Sequence, residues 1–183
     1  MKKAQIFVIS GKARSGKDTV AGDIQEYYKK QNKSCITLAY ATPIKEYAKK
    51  ILSWDGRDET KPRDFLQYLG TEFIRKQIDP NFFLRRMKED ILIYSEYYDI
   101  IIITDARFIE EIEMIKNNFE KVITIKVEKP NLISNLTEKQ QQHATEISLN
   151  HYNDYDYVIM NDDSLEKLKQ KVYNILNEVK EWI

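Results

Sequence analysis

Cysteine, histidine and glycine are scarce in this 183-residue chain, and its apolar runs are short. The single Cys35 excludes an internal disulfide and fits a reducing, cytoplasmic setting. One cysteine and two histidines cannot furnish a structural zinc set. The longest apolar runs, such as Ile100–Ile103, fall far below the roughly 20 residues a membrane helix needs, so no membrane partner is expected. After Met1-Lys2-Lys3 the first apolar run stops at Ile9 and meets Gly11, so a signal peptide is not expected either. Charge of one sign is not in excess: 29 basic residues balance 29 acidic ones. A duplex-binding protein carries a basic excess or stripe, so nucleic acid is not an expected partner.

What is present reads as a soluble globular protein. Charged residues make up 32% and aromatic ones 11%, with twelve tyrosines. The length suits one domain with a full core. Short apolar runs alternate with amphipathic ones. Residues 4–9 (AQIFVI), 35–40 (CITLAY), 99–104 (DIIIIT), 121–127 (KVITIKV) and 156–160 read as strands. Apolar residues on both faces mark 99–104 as a central parallel strand.

Helical stripes follow. Val20, Ala21, Ile24, Tyr27 and Tyr28 share one face after Lys17. Thr42 and Pro43 form an N-cap and first-turn pair, opening a helix with Ile44, Tyr47, Ala48, Ile51 and Leu52 inward. Helices are predicted over about 62–78 and 81–97, broken at Asp79-Pro80, and a short one near 109–118. The last helix starts near 164 and carries Leu165, Leu168, Val172, Ile175, Leu176 and Val179. Residues 53–61 form a loop, and 129–150 are polar and poor in pattern. Such β/α alternation implies an α/β fold with a parallel sheet, whose ligands bind at the carboxyl ends of strands.

Two of the five glycines carry the chemistry. In SGKARSGKDT, Gly11, Gly16 and Lys17 fit the phosphate-binding loop G-x-x-x-x-G-K-[ST], the Walker A pattern. The loop follows one predicted strand and opens a helix, whose free N–H groups attract phosphate while Lys17 adds a cation. Asp18 stands where a magnesium-binding hydroxyl belongs, with Thr19 one place late. Mg²⁺ prefers hard oxygen ligands, so Asp18 can replace that hydroxyl, directly or through water.

Asp105 ends the IIIITD strand. An acidic residue there suits Mg²⁺ or catalysis, with a helix N-cap as the ordinary alternative. Arg107 is placed either to reach phosphate or to form a surface ion pair. Lys45, Arg63, Arg75, Arg85, Arg86 and Lys88 are cations on helices, where solvated faces are the ordinary explanation. Arg75 stands out because it shares a helix with Leu69, Phe73 and Ile78. His143 and Glu146 lie one helical turn apart, which suits a surface pair as well as a site.

Taken in order, GKARSGKDT, YATPIKE, LQYLGTEFIR with DP, TDARFIEEIE and HATEISL…YDYVIMND resemble the deoxynucleoside monophosphate kinase-like branch of the P-loop kinases. This branch is related to animal-type phosphomevalonate kinases. The resemblance spans about residues 5–172 and implies one domain over 1–183. Its core would be 1–41, 98–128 and 151–183, holding a five-stranded parallel sheet in the order 2-3-1-4-5 between two helical layers. A helical substrate-binding insertion would occupy 42–97, and a lid 129–150.

The resemblance also implies ATP and Mg²⁺ as cofactors, with small nucleotides as substrates and a monomer or homodimer. Gly11, Ser15, Gly16, Lys17, Asp18 and Thr19 would hold the ATP phosphates, and Asp18 and Asp105 the metal. Lys45, Arg75 and Asp79 would bind the acceptor, Lys17, Asp105 and Arg107 would serve catalysis, and His143 and Glu146 match a lid-edge motif. Residues 160–163 (MNDD) correspond to the place where the ATP base is held. Residues 129–150 contain no arginine, only Lys129 and Lys139, so Arg14 or Arg107 is the candidate transition-state cation. The implied reaction is transfer of the ATP γ-phosphate to a deoxynucleoside monophosphate. Phosphomevalonate or another phosphometabolite is the alternative acceptor, and a regulatory nucleotide-binding protein the alternative class.

Overall fold

The structure is a computed structural model that describes residues 3–130, 132 and 136–180. Five strands form one parallel sheet: β1 (Gln5–Ser10), β2 (Cys35–Leu38), β3 (Ile100–Ile103), β4 (Val122–Glu128) and β5 (Tyr157–Met160). Their order is β2-β3-β1-β4-β5, as expected. β3 is four isoleucines, every one buried, because helices cover both its faces and water reaches neither. Register aligns Phe7 with Ile102 and with Ile123, so β1 is central and its carboxyl end delivers the glycine loop to mid-sheet.

On one face, α1 (Lys17–Lys29) and α8 (Leu165–Lys180) pack Val20, Ile24, Leu168, Val172 and Leu176 onto Phe7, Ile9 and Ile125. On the other, α4 (Phe82–Tyr94) and α5 (Ile109–Asn118) cover Ile6, Val8, Ile101 and Ile103 with Met87, Ile91, Ile112 and Ile115. Between β2 and β3 the chain also forms α2 (Thr42–Leu52) and α3 (Arg63–Gln67). α3 runs on as a π-helix over Tyr68–Ile78, closed by an i→i+5 bond from the Asp79 N–H to the Ile74 carbonyl at 2.8 Å. Two short helices, α6 (Glu138–Gln141) and α7 (Ala144–Ile147), precede β5. Most strand and helix limits lie within one or two residues of the expected ones.

Three local expectations need correction. Thr42 is the first helical residue of α2 and Ala41 its cap, with Pro43 still in the first turn. Ala48 is fully buried, but Tyr47, Ile51 and Leu52 are 41%, 61% and 46% exposed. α2 lies at the rim of the helical segment, and its neighbours cover a strip narrower than its apolar stripe. Leu165 is also exposed, because it precedes the turn at which α8 meets the sheet.

Candidate active site

The loop after β1 is built around its two glycines. Gly11 has φ +149°, and a Cβ there would lie 2.4 Å from the Val127 carbonyl oxygen. Gly16 has φ +105°, and its Cβ would lie 2.5 Å from Asn161 Nδ2. Only glycine fits both the conformation and the space. Asn161, from the MNDD stretch, donates to the Ser15 carbonyl at 2.8 Å, so the loop after β5 braces the glycine loop directly.

Lys17 is 8% exposed and donates to the carbonyls of Gly11 and Lys12 at 2.9 and 2.7 Å. Burial lowers its pKa to about 8, assisted by Arg107 and opposed by Asp18, Glu146 and Asp105. Ser15 Oγ is buried without a hydrogen-bond partner. A buried ammonium held by carbonyls alone, beside an orphan hydroxyl, has the chemistry of a site completed by an anion. The carboxylate of Asp18 is exposed at the start of α1, as is Thr19. Among the described residues no group of three or more His, Cys, Asp or Glu is arranged to hold a metal. Mg²⁺ bound through one or two carboxylates and phosphate oxygens needs no such group, so Asp18 fits it.

A cleft of about 700 Å³ opens over the loop, lined by Gly11, Ser15, Lys126, Lys129, Tyr155 and Met160 among others. A second cavity, of about 210 Å³, lies under α2, α3 and the π-helix. Arg107, Leu136, Thr145 and Glu146 line both. The second cavity presents Lys45, Lys61, Arg63, Arg75 and Arg107 against Asp105, Glu111 and Glu146, a surplus of two cations when all are ionised.

Asp105 accepts from the backbone N–H groups of Tyr40 and Ala41 at 2.8 and 3.0 Å. It therefore ties the β2–α2 connection to the end of β3, and neither caps α5 nor stands free. Arg107 donates to Glu146 at 2.8 Å, joining the end of β3 to α7. Arg75 lies over the rings of Phe83 and Phe108, 4.9 and 4.4 Å from their centroids, and is ion-paired with Glu111.

Glu111 is the residue that sequence reasoning missed. It is 1% exposed, and it also accepts from the N–H groups of Arg107 (2.6 Å) and Phe108 (3.2 Å). Burial raises its pKa to about 7 while Arg75 and those N–H groups pull it down; the convergence of donors suits the carboxylate. The signal lay in helix phase: Glu111 adjoins Ile112 and is four residues from Ile115, on the apolar side of α5.

Other expected residues lie apart from the two cavities. Arg14 is exposed at a left-handed position, φ 64°, and lines neither cavity. Asp79 pairs with Arg85 and accepts from the Asn81 N–H at 2.9 Å, fixing the turn into α4. His143 caps α7 through Nδ1, and its Nε2 is 4.0 Å from Glu72 of the π-helix; neither cavity includes it.

A parallel sheet in this order, with a glycine loop between its middle strand and α1, is the fold of the P-loop kinases. Solved kinases share the fold at low identity. An APS kinase from Mycobacterium tuberculosis, in complex with AMPPNP and APS, aligns with TM-score 0.57 and 12% identity over 97% of this chain and 99% of that one. A dephospho-CoA kinase from Campylobacter jejuni aligns with TM-score 0.52 and 14% identity over 96% and 97%. The family can be stated more closely. The chain belongs to the deoxynucleotide monophosphate kinase family, whose model matches residues 48–172. A candidate deoxynucleotide monophosphate kinase of Acanthamoeba polyphaga mimivirus is 25% identical over 198 residues, covering 94% of this chain and 95% of the relative. The protein is thus a phosphotransferase.

Proposed function

We propose that this kinase transfers the γ-phosphate of ATP to the phosphate of a deoxynucleoside monophosphate. The observation that carries the proposal is the meeting of two cavities at Arg107, one walled by the phosphate loop and one rich in cations. Donor and acceptor phosphates would approach one another there, and phosphoryl transfer depends mostly on such positioning and on neutralised charge.

Backbone N–H groups of residues 11–16 and the Lys17 ammonium would hold the donor phosphates, with Lys17 exchanging its carbonyl partners for phosphate oxygens. When bound, Mg²⁺ would neutralise charge developing on the donor phosphates. Asp18 is its first candidate ligand, since Asp105 already accepts two backbone N–H groups. Arg75 and Lys45 would bind the acceptor phosphate, and Arg107 would face the transferred group. Residues 42–97 would act as the acceptor-binding insertion and 129–150 as the lid; residues 131 and 133–135 of that lid lie outside the described residues.

The apolar lining of Phe83, Phe108, Ile44 and Leu66 suits a nucleoside better than phosphomevalonate, which has no ring to bury. The test is ADP release in the presence of ATP and Mg²⁺, over a panel of deoxynucleoside monophosphates and phosphomevalonate. Stimulation by at least one deoxynucleotide is expected. Acceptor-independent ADP release, or stimulation by phosphomevalonate alone, would overturn the reading.

A further inference from the structure

We propose that Gln67 and Thr71 form a subsite that hydrogen-bonds the edge of the acceptor's nucleobase. The inference rests on the acceptor assignment above and adds which side chains read the base. Four uncharged hydrogen-bonding side chains line the smaller cavity: Tyr40, Gln67, Thr71 and Thr145. Two are already engaged. Tyr40 donates its hydroxyl to the Glu111 carbonyl at 2.8 Å, and Thr145 Oγ1 lies 3.0 Å from His143 Nδ1.

Gln67 and Thr71 have no side-chain hydrogen-bond partner among the described residues, although Thr71 is only 6% exposed. Neither polar end is among the fully buried unpaired side-chain atoms, so both stay open to the cavity, where a ligand can complete them.

Their placement follows from the helix that carries them. Gln67 ends α3 and Thr71 lies in the π-helix, whose wider i→i+5 turn keeps residues four apart in line. Gln67, Thr71 and Arg75 thus descend one wall of the cavity, from uncharged amide to cation. Gly70 lets that wall approach α2: a Cβ there would lie 2.7 Å from Ile44 Cδ1.

The surroundings are Ile44, Leu66, Phe83 and Phe108, so the site offers apolar faces, one carboxamide and one hydroxyl. A flat heterocycle with polar edges matches that set. At about 210 Å³ the cavity is smaller than the roughly 300–1,000 Å³ of drug-sized ligand pockets, as befits one base and its sugar. A carboxamide presents a donor and an acceptor side by side, the pattern by which Gln reads adenine, and such a bidentate pair discriminates by roughly 5- to 150-fold.

The experiment is steady-state kinetics at saturating ATP with dAMP, dGMP, dCMP and dTMP, on wild type, Gln67→Ala, Gln67→Glu and the isosteric Thr71→Val. Melting temperatures verify that each variant folds. Gln67→Ala should raise acceptor KM by roughly 5- to 150-fold, unequally among the bases, with ATP KM within about twofold of wild type. Gln67→Glu, which can only accept, should reorder the bases in favour of those presenting an amino group. Equal factors for every nucleotide, or an unchanged order in both Gln67 variants and Thr71→Val, would overturn the subsite and leave the kinase reading intact. If folded wild type phosphorylates no deoxynucleotide, both proposals fall.

Discussion

At the scale of single residues, the candidate site brings together Lys17, Arg75 and Arg107, the last two already held by Glu111 and Glu146. Lys17 shows the cost of that arrangement. Its pKa of about 8 lies below the ordinary 10.5, chiefly through burial. Between those values the unfolded chain holds more protons than the folded one, so the ligand-free protein gains stability from this group as pH rises from about 8 to 10.5. Phosphate favours the ammonium and should restore the proton. Donor binding is therefore expected to take up a proton near pH 8–9 and to weaken above it, by at most about tenfold per pH unit. Calorimetry in buffers of different ionisation enthalpy reads that uptake, which should vanish in Lys17→Ala.

Arg75 and Glu111 belong to the same scale. Their side chains are only 15% and 2% exposed, so deleting either strands a buried charge. Glu111→Ala is expected to destabilise the protein by about 3–5 kcal/mol, measured by urea unfolding. Arg75→Ala should raise acceptor KM by roughly 10- to 150-fold, the loss of one charge-assisted bond. A folded Arg75→Ala with normal acceptor kinetics would remove this arginine from the acceptor site.

At the scale of elements, segments distant in sequence are fastened by a few polar contacts. α7 reaches the end of β3 through Glu146 and Arg107, and Gln140 of α6 donates to Asp64 of α3 at 2.6 Å. His143 sits beside Glu72, and burial lowers its pKa while Glu72 opposes that shift. These contacts tie α6 and α7 to the end of β3, to α3 and to the π-helix. Glu146→Ala should therefore raise hydrogen exchange across residues 138–147 several-fold and leave α1 and α8 unchanged. Unchanged exchange across 138–147 would show that the ion pair fastens nothing.

At the scale of the molecule, two apolar layers clamp the sheet, and both cavities open at its carboxyl edge. The scaffold is thus largely formed without ligand, and binding should add to its stability by mass action. An ATP analogue at 100 times its dissociation constant contributes about 2.7 kcal/mol. For a chain of this length that is a rise in melting temperature of roughly 5–11 °C. Scanning calorimetry should record the rise for wild type and its loss in Lys17→Ala. Among the described residues no helix is long and apolar enough to cross a membrane.

What the sequence determined by itself was whatever depends on neighbours along the chain. Short apolar runs located the strands, and helical spacing most helices. The glycine spacing located the turn between β1 and α1, because such a turn is local geometry. The motifs, through family resemblance, supplied the strand order. Pairings across the sequence were decided only by the tertiary structure. Glu111 reads as one of several acidic residues in a surface helix until α5 is laid on the sheet and Arg75 arrives from 36 positions away. On sequence alone Asp105 stands between a metal or catalytic role and a helix N-cap, and Arg107 between phosphate and an ion pair. The fold adds their partners Tyr40, Ala41 and Glu146, from 65, 64 and 39 positions away. Asp79 shares its region with Arg75, yet it serves a turn. The physical reason is that a charged side chain's role depends on its partner and on its access to water, and the fold sets both.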